Sequence, residues 1–283
     1  TQTMVPTTDC GGYTCGSALQ GGGEYSSSFY KSAWSPKIPV FYGKDNVHGM
    51  GDVTNATIFP HNIGLGATRD SALVRRIGQA VAEEMWAAHI DLNFSPAISV
   101  PRDERWGRTY EGFGEIPELV ASLGAAYVRG LQGDNFDAER RVPATVKHFL
   151  GDGATDKGYD RGNATISEEE LNAIHLPPYI AAIEQGVQSV MASFNQVNGV
   201  HQHVDSLRLT VLLKKELGFD GYVIADWEGI ENSKSPGEAG NYSGSHTGVS
   251  STEAVRNAIN AGIDMAMVPQ SASTFISSMK SLV

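Results

Sequence analysis

The chain has 283 residues, 41% of them hydrophobic, and a formal net charge of −11. That length can bury one complete core, so we expect one main domain rather than several small ones. The acidic balance and the lack of a Lys/Arg cluster argue against nucleic acid or an anionic membrane surface as partner, and no run of about 18 apolar residues predicts a transmembrane helix. Such a chain accommodates a neutral ligand more easily.

Residues 1–37 are rich in Gly and Ser and are predicted to form an irregular segment packed on the domain. Within this segment, Cys10 and Cys15 could close a small disulfide loop or stay as two buried thiols, and the sequence leaves both open. No signal peptide is recognisable at Thr1, and a start without Met is compatible with a processed or excised chain.

Apolar runs and helical periodicities alternate along the rest of the chain. The pattern from Asp70 predicts a helix to residue 85, capped by Asp70 or Ser71. Ser167 opens a helix through a capping box, and Pro177 should kink this helix before Gly186 ends it. Further helices are predicted at 117–131, 207–217, 252–261 and 275–283. The predicted strands cover residues 38–42, 91–94, 143–149, 188–193, 222–225 and 263–267.

This alternation predicts a (β/α)8 TIM-like barrel over residues 38–283, with a doubly wound sheet as the alternative. Six strands are recognisable, so we expect a barrel that is irregular or incomplete in its first units. In both folds, ligands bind at the carboxyl ends of the strands.

Charged residues follow the predicted strands at that end. The strand at 222–225 runs directly into Asp226, and positions at or after the ends of other strands hold Asp45, Arg108, Lys147 and His148. A single Asp there more often caps a helix or begins a turn, but five coincidences favour a shared site. Carboxylates and cations together suit a polyhydroxylated ligand, and Trp227 could stack on a sugar ring. For Trp106, we expect core packing.

The sequence predicts neither a cofactor nor a metal. Gly64 and Gly66 do not begin a dinucleotide-binding fingerprint, because Arg69 stands where the third glycine belongs. We find no Gly-x-Ser-x-Gly nucleophile elbow and no spacing of thiols and histidines typical of a zinc site.

Four segments make the chain similar to a known family. They read GKDNVHG, RWGRTYE, KHFLGDG and GYVIADWEG, at residues 43–49, 105–111, 147–153 and 221–229. In this order they closely resemble glycoside hydrolase family 3, particularly its exo-β-glucan glucohydrolases and β-glucosidases, over about the whole chain. The resemblance implies a secreted or periplasmic enzyme that hydrolyses β-glucosidic bonds from the nonreducing end by a retaining mechanism.

The resemblance also implies roles for the residues at the strand ends. Asp226 matches the catalytic nucleophile and Trp227 a residue lining the site, while the ligands of the terminal sugar's hydroxyls are matched by Asp45, Arg108, Lys147 and His148. A retaining enzyme needs an ionised nucleophile and a proton donor about 5 to 5.5 Å apart. We expect Lys147 and Arg108 to keep Asp226 ionised.

The chain departs from the family pattern at several places. Ala225 replaces the usual Ser, and Phe194 stands where plant-type relatives often carry Tyr. Two-domain members take the general acid/base from a following α/β sandwich domain, and we expect residues 1–283 not to include that domain. Single-domain members use a histidine that the loop 155–161 lacks.

We therefore expect a β-linked glucoside or oligosaccharide as the substrate, and a second domain or a homodimer as the partner. Two alternatives stay open. The chain could be a degenerate, non-enzymatic carbohydrate-binding barrel, or its specificity could be that of a β-xylosidase or β-N-acetylhexosaminidase.

Overall fold

The computed structural model describes residues 41–51, 53–134, 140–233, 251–270 and 272–283. The predicted segment 1–37 with Cys10 and Cys15, the start of the first predicted strand and most of the Gly/Ser-rich loop after residue 233 lie outside the described residues. Within the ranges given, no helix is both long and apolar enough to cross a membrane.

Short strands and longer helices alternate through these ranges. The strands are β1 (Gly43–Lys44), β2 (Leu92–Asn93), β3 (Thr145–Phe149), β4 (Asn163–Ala164), β5 (Ser189–Ala192), β6 (Gln196–Val197), β7 (Val200–His201) and β8 (Tyr222–Ile224). The helices are α1 (Asn62–Thr68), α2 (Ser71–Ala87), α3 (Pro117–Gln132), α4 (Glu168–Glu170), α5 (Pro177–Glu184), α6 (Leu207–Glu216), α7 (Ser251–Ala261) and α8 (Ala272–Leu282).

Five strands and one bridged residue follow one another side by side in chain order, all parallel. β1 pairs with β2, and Asn93 of β2 is bridged to Ala144, the residue directly before β3. β3 pairs with β5, β5 with β8, and Ile224 of β8 is bridged to Met265. Sequential parallel neighbours with helices between them are the arrangement of a TIM-like barrel. The carboxyl ends of these strands consequently meet at one face.

The predicted helices are confirmed, with the caps predicted at Asp70 and Ser167. Asp70 caps α2 by accepting a hydrogen bond from the Leu73 amide at 2.9 Å, and Gly133 ends α3 with a φ of 74°. The Ser167 hydroxyl likewise accepts from the Glu170 amide. The helix it opens changes to π-type hydrogen bonding over Leu171–His175, directly before Pro177, which is where the sequence predicted a kink.

The last predicted strand, 263–267, is wrong as a strand, because only Met265 is bridged to β8. The Asp264 carboxylate accepts the Val223 amide at 2.8 Å, and the amides of Asp264 and Met265 both donate to the Val223 carbonyl. A side chain thus takes a hydrogen bond that the backbone ladder would otherwise make.

The first predicted strand, 38–42, is wrong at its two described residues, which are not part of a strand. Phe41 and Tyr42 are exposed and precede β1, which starts at Gly43. Here again an aspartate side chain takes the place of a backbone acceptor, because the Asp91 carboxylate accepts the hydrogen bond of the Tyr42 amide at 2.9 Å. Sequence analysis also missed α1 and the small sheet of β4, β6 and β7. Those strands have two residues each, which is too few for a periodic signal.

Two helices on the outside of the barrel, α2 and α3, touch through glycines. A methyl group at Gly130 would lie 2.3 Å from the Arg75 carbonyl oxygen, and one at Gly78 would lie 2.7 Å from the Tyr127 carbonyl oxygen. The helices can approach this closely only because neither position carries a side chain.

We expect Gly130→Ala to lower the free energy of unfolding by about 1 to 3 kcal/mol, because the added methyl overpacks this contact. Gly64→Ala in α1 is the matched control, since its methyl would meet only Pro60 at an ordinary 3.6 Å and should be neutral or stabilising. Urea unfolding of both variants measures the difference. Equal stability of Gly130→Ala and the parent chain would contradict this account of the packing.

Four histidines are buried in the described core, at 6% exposure or less: His148, His175, His201 and His203. Burial disfavours the charged imidazolium, and it lowers the pKa of His148 to about 3 and the pKa of His175 and His201 to about 4. Burial also places the pKa of His203 well below its ordinary value. All four side chains are therefore neutral in the folded protein near neutral pH.

These depressed values predict a fold that loses stability in acid. The unfolded chain binds protons at its histidines below about pH 6.5, whereas the folded chain resists protonation until about pH 4. The free energy of unfolding should thus be highest above about pH 6.5 and fall by up to about 1.4 kcal/mol per pH unit for each histidine below it.

Urea unfolding at about pH 7.5 and about pH 5 measures this slope. His201→Asn should flatten it, whereas His89→Asn, at an exposed position with a φ of 56° that Asn tolerates, should leave it unchanged. A free energy of unfolding that stays constant across this interval would refute the prediction.

Candidate active site

The charged residues predicted at the strand ends lie at one face of the barrel. Asp45 directly follows β1, Lys147 and His148 belong to the last residues of β3, and Asp226 comes two residues after β8. The register of β3 against β5 is irregular between Val146 and Phe149. Successive strand residues normally point to opposite faces, and such an irregularity can re-aim a side chain. Lys147 and His148 accordingly both contact residues of this face.

Lys147 and Asp45 form an ion pair at the edge of the cluster. Lys147 Nζ lies 2.5 Å from Asp45 Oδ1, with the lysine side chain buried and the aspartate side chain 65% exposed. An ammonium group carries three donors. Lys147 can therefore hold Asp45 and still donate to a hydroxyl of a bound ligand.

His148 lies at the centre of the cluster, where two contacts fix its tautomer. Its Nε2 is 3.0 Å from Arg108 Nη2, and its Nδ1 is 2.9 Å from Asp152 Oδ2. A guanidinium can only donate, so Nε2 accepts and the proton resides on Nδ1, which donates to Asp152. Burial, and then the charges of Arg108 and Lys147, lower the pKa of His148 to about 3. His148 is thus a neutral positioning group rather than a cation.

Asp152 in turn is held by buried donors. Its carboxylate accepts from the Ser99 hydroxyl at 2.6 Å and from the Gly153 amide at 2.9 Å. Burial raises the pKa of Asp152, and the Ser99 hydrogen bond opposes that rise. Asp152 therefore holds the His148 ring in place through the hydrogen bond from its Nδ1.

Arg108 is oriented by a bidentate pair with Glu111. The guanidinium Nε and Nη2 lie 2.7 and 2.8 Å from the two carboxylate oxygens. Burial opposes the charge of both groups, but their mutual hydrogen bonds outweigh it, raising the pKa of Arg108 and lowering the pKa of Glu111. Both groups remain charged, and the fork geometry fixes where the guanidinium points.

Asp226 presents one carboxylate oxygen without a partner. Its Oδ1 accepts from the Trp227 amide at 2.6 Å, whereas its buried Oδ2 has no hydrogen-bond partner among the residues that the structure describes. His148 Nε2 is 3.5 Å from this oxygen, but it cannot donate because it accepts from Arg108. The alternative that Asp226 caps a helix fails, because turns follow it as far as Asn232.

Trp106 and Trp227 differ in environment. Trp106 is buried and its Nε1 donates to Asp160 Oδ1 at 3.0 Å, as expected for a residue of the core. Trp227 is 53% exposed beside Asp226. Phe194 is buried, and the Arg161 guanidinium lies 4.1 Å from the centre of its ring.

Sequence analysis did not assign several residues of this cluster. Glu111 and Asp152 stand inside two of the quoted motifs, so their position in RWGRTYE and KHFLGDG could have indicated them. Ser99 carries no such signal. Within the described parts of the chain, no group of three or more His, Cys, Asp or Glu residues is arranged to hold a metal ion.

A separate groove of about 410 Å³ lies between α1 and the segment before α3, where it is lined by Ile63, Arg69, Arg102, Phe113 and others. None of the five strand-end residues borders it. We place the candidate site at the charged cluster, because there the side chains that follow several described strands converge around a carboxylate oxygen without a partner among the described residues.

Comparison with known proteins extends this description. The family described as "Glycosyl hydrolase family 3 N terminal domain" matches residues 20–283. The lysosomal beta glucosidase of Dictyostelium discoideum is 38% identical over 239 residues, which cover 82% of this chain and 28% of the relative.

Two solved structures have the same fold. The exo-1,3/1,4-beta-glucanase from a Pseudoalteromonas species superposes with a TM-score of 0.80 at 42% identity, covering 92% of this chain and 32% of that one. The beta-glucosidase from Listeria innocua in complex with glucose gives a TM-score of 0.79 at 30% identity, covering 91% and 34%. A mutant of the same enzyme has been crystallised with laminaribiose.

This chain spans about a third or less of the length of these relatives. The match nevertheless includes nearly all of its own residues, and the solved structures share its parallel barrel. The TIM-barrel-like fold predicted from the sequence is confirmed, and the chain belongs to glycosyl hydrolase family 3.

Proposed function

We propose that this chain is the catalytic barrel of a retaining glycoside hydrolase that releases glucose from the nonreducing end of β-glucosides or β-glucans. The observation that carries the proposal is the buried Asp226 Oδ2, which has no protein partner within the described residues and lies beside His148. Relatives named as beta-glucosidases and an exo-1,3/1,4-beta-glucanase support the substrate class.

In this mechanism Asp226 attacks the anomeric carbon. A bond forms between Oδ2 and that carbon as the bond to the leaving oxygen breaks, and water later hydrolyses the glycosyl-enzyme. Lys147, Asp45 and Arg108 have donors and acceptors suited to the hydroxyls of the terminal sugar. Trp227 offers an exposed ring for the next sugar unit.

The proton donor is proposed to come from outside this cluster. The other carboxylates of the cluster already bind partners, because Glu111 holds Arg108, Asp152 holds His148 and Asp45 holds Lys147. A second domain of the complete enzyme is the proposed source of the general acid/base. Without it, turnover of unactivated glucosides should be about a hundred- to ten-thousandfold slower.

The first test is covalent trapping on an activated aryl 2-deoxy-2-fluoro-β-glucoside. Its leaving group departs as a stable anion and needs no proton donor, so the chain should gain the mass of one fluoroglucosyl group at Asp226. Asp226→Ala should abolish this gain, because the variant lacks the attacking oxygen. Intact mass and peptide mapping measure both.

The control is Asp220→Ala, which removes an exposed carboxylate before the same strand and should label at the parental rate. If the parent chain binds glucose but forms no adduct, the non-enzymatic carbohydrate-binding alternative gains support. Corresponding fluoroxylosides and aryl hexosaminides then decide between the glucosidase and its xylosidase and hexosaminidase alternatives.

A second test concerns Lys147 as a sugar ligand. Lys147→Met keeps the volume of the buried side chain but removes its donors, so glucose should bind about ten- to a hundredfold more weakly. Lys214→Met is the matched control, because Lys214 pairs with Asp264 at 2.6 Å outside the cluster. Calorimetric titration with glucose compares them, and equal losses in the two variants would argue against this role for Lys147.

A further inference from the structure

We propose that His203 is a positioning residue for the reaction, which holds the backbone of Asp226 so that the free carboxylate oxygen faces the sugar. This inference rests on the proposed role of Asp226 as the nucleophile. The Asp226 amide donates to His203 Nε2 at 2.9 Å. The two residues are 23 positions apart, so the contact links two separate segments of the barrel.

The direction of this hydrogen bond fixes the state of the ring. A backbone amide can only donate, so Nε2 of His203 must be unprotonated and Nδ1 must carry the proton. The side chain is fully buried at 0% exposure, which favours the neutral form. An imidazolium carries a proton on both nitrogens and cannot accept a hydrogen bond, so protonation of His203 would break its contact with the Asp226 amide.

The imidazole is itself held on several sides. His203 lies in the short helical turn Gln202–Val204, immediately after β7. Its own amide donates to His201 Nδ1 at 3.3 Å. Its ring packs against the rings of His201 and Phe194, with centroid distances of 5.3 and 5.8 Å. The acceptor therefore has little freedom to move.

The turn after Asp226 is built around this ring. A methyl group at Gly229 would lie 2.1 Å from His203 Nε2 and 2.5 Å from its Cε1. A side chain at position 229 would displace the imidazole. Position 229 therefore requires glycine on steric grounds, which the sequence motif alone does not show.

The contact completes the restraint of the nucleophile. The Ala225 amide donates to the Met265 carbonyl at 2.9 Å, and Asp226 Oδ1 accepts the Trp227 amide. With the Asp226 amide held by His203, the backbone on both sides of the carboxylate is fixed and Oδ2 stays free. Restraint of this kind matters because a misplacement of about 1 Å can cost about a hundredfold in rate.

The test measures labelling by the activated fluoroglucoside as a rate constant and as the dissociation constant of the initial complex. His203→Leu removes the acceptor, and we expect the rate constant to fall about a hundredfold with affinity changed less than about threefold. His203→Gln offers an amide oxygen in place of Nε2 and should recover most of the rate. Gly229→Ala should resemble His203→Leu, and Gly64→Ala should label as the parent does.

A second readout is the tautomer of His203, observed by nitrogen NMR of labelled histidine. We expect a neutral ring protonated on Nδ1 at about pH 7. A proton on Nε2, or a normal labelling rate in His203→Leu, would overturn the inference. A parent chain that fails to label would instead count against the proposed function, and the tautomer would still decide whether His203 accepts from Asp226.

Discussion

A neutral histidine at the centre of the site determines what its neighbours can do. His148 accepts a hydrogen bond from Arg108 through Nε2 and donates one to Asp152 through Nδ1. Both contacts together require the neutral ring, because an imidazole with both nitrogens protonated could not accept from Arg108. Arg108 itself is aimed by its bidentate pair with Glu111. Since Nε2 is already occupied, the nearby Asp226 oxygen receives no hydrogen bond from the ring. Asp226 Oδ2 therefore has no hydrogen-bond partner among the described residues.

The charges within the cluster are also balanced by specific partners. Burying a lone charge is costly, and here the buried cations have carboxylate partners: Lys147 pairs with Asp45, and Arg108 pairs with Glu111. Buried polar atoms without partners are uncommon in folded proteins, and those that occur need an explanation. For Asp226 Oδ2 the explanation that we propose is a sugar ligand whose anomeric carbon this oxygen attacks. Among the described carboxylates of the cluster, Asp45, Glu111 and Asp152 bind partners, whereas Asp226 keeps one buried oxygen without a partner.

The barrel supplies the geometry for this arrangement. Parallel neighbours bring the ends of β1, β3 and β8 to one face, and the irregular register of β3 lets two consecutive residues contribute to it. Contacts within one motif, such as those of Arg108 with Glu111 and His148 with Asp152, are local in sequence. The contact between Arg108 and His148 joins two motifs that are 40 positions apart. Family membership agrees with this construction, because the solved relatives share the barrel at 30 to 42% identity.

The sequence by itself determined most of the helices, the caps at Asp70 and Ser167, and the strand ends that carry Asp45, Lys147 and Asp226, because periodicity and capping are local properties of the chain. Only the tertiary structure decided the tautomer of His148, the contact of His203 with Asp226, and the replacement of ladder bonds by Asp91 and Asp264. Each of these joins residues far apart in the chain. Their hydrogen bonds form only when separate segments pack together. Such packing involves two or three residues at a time and leaves no periodic pattern in the sequence.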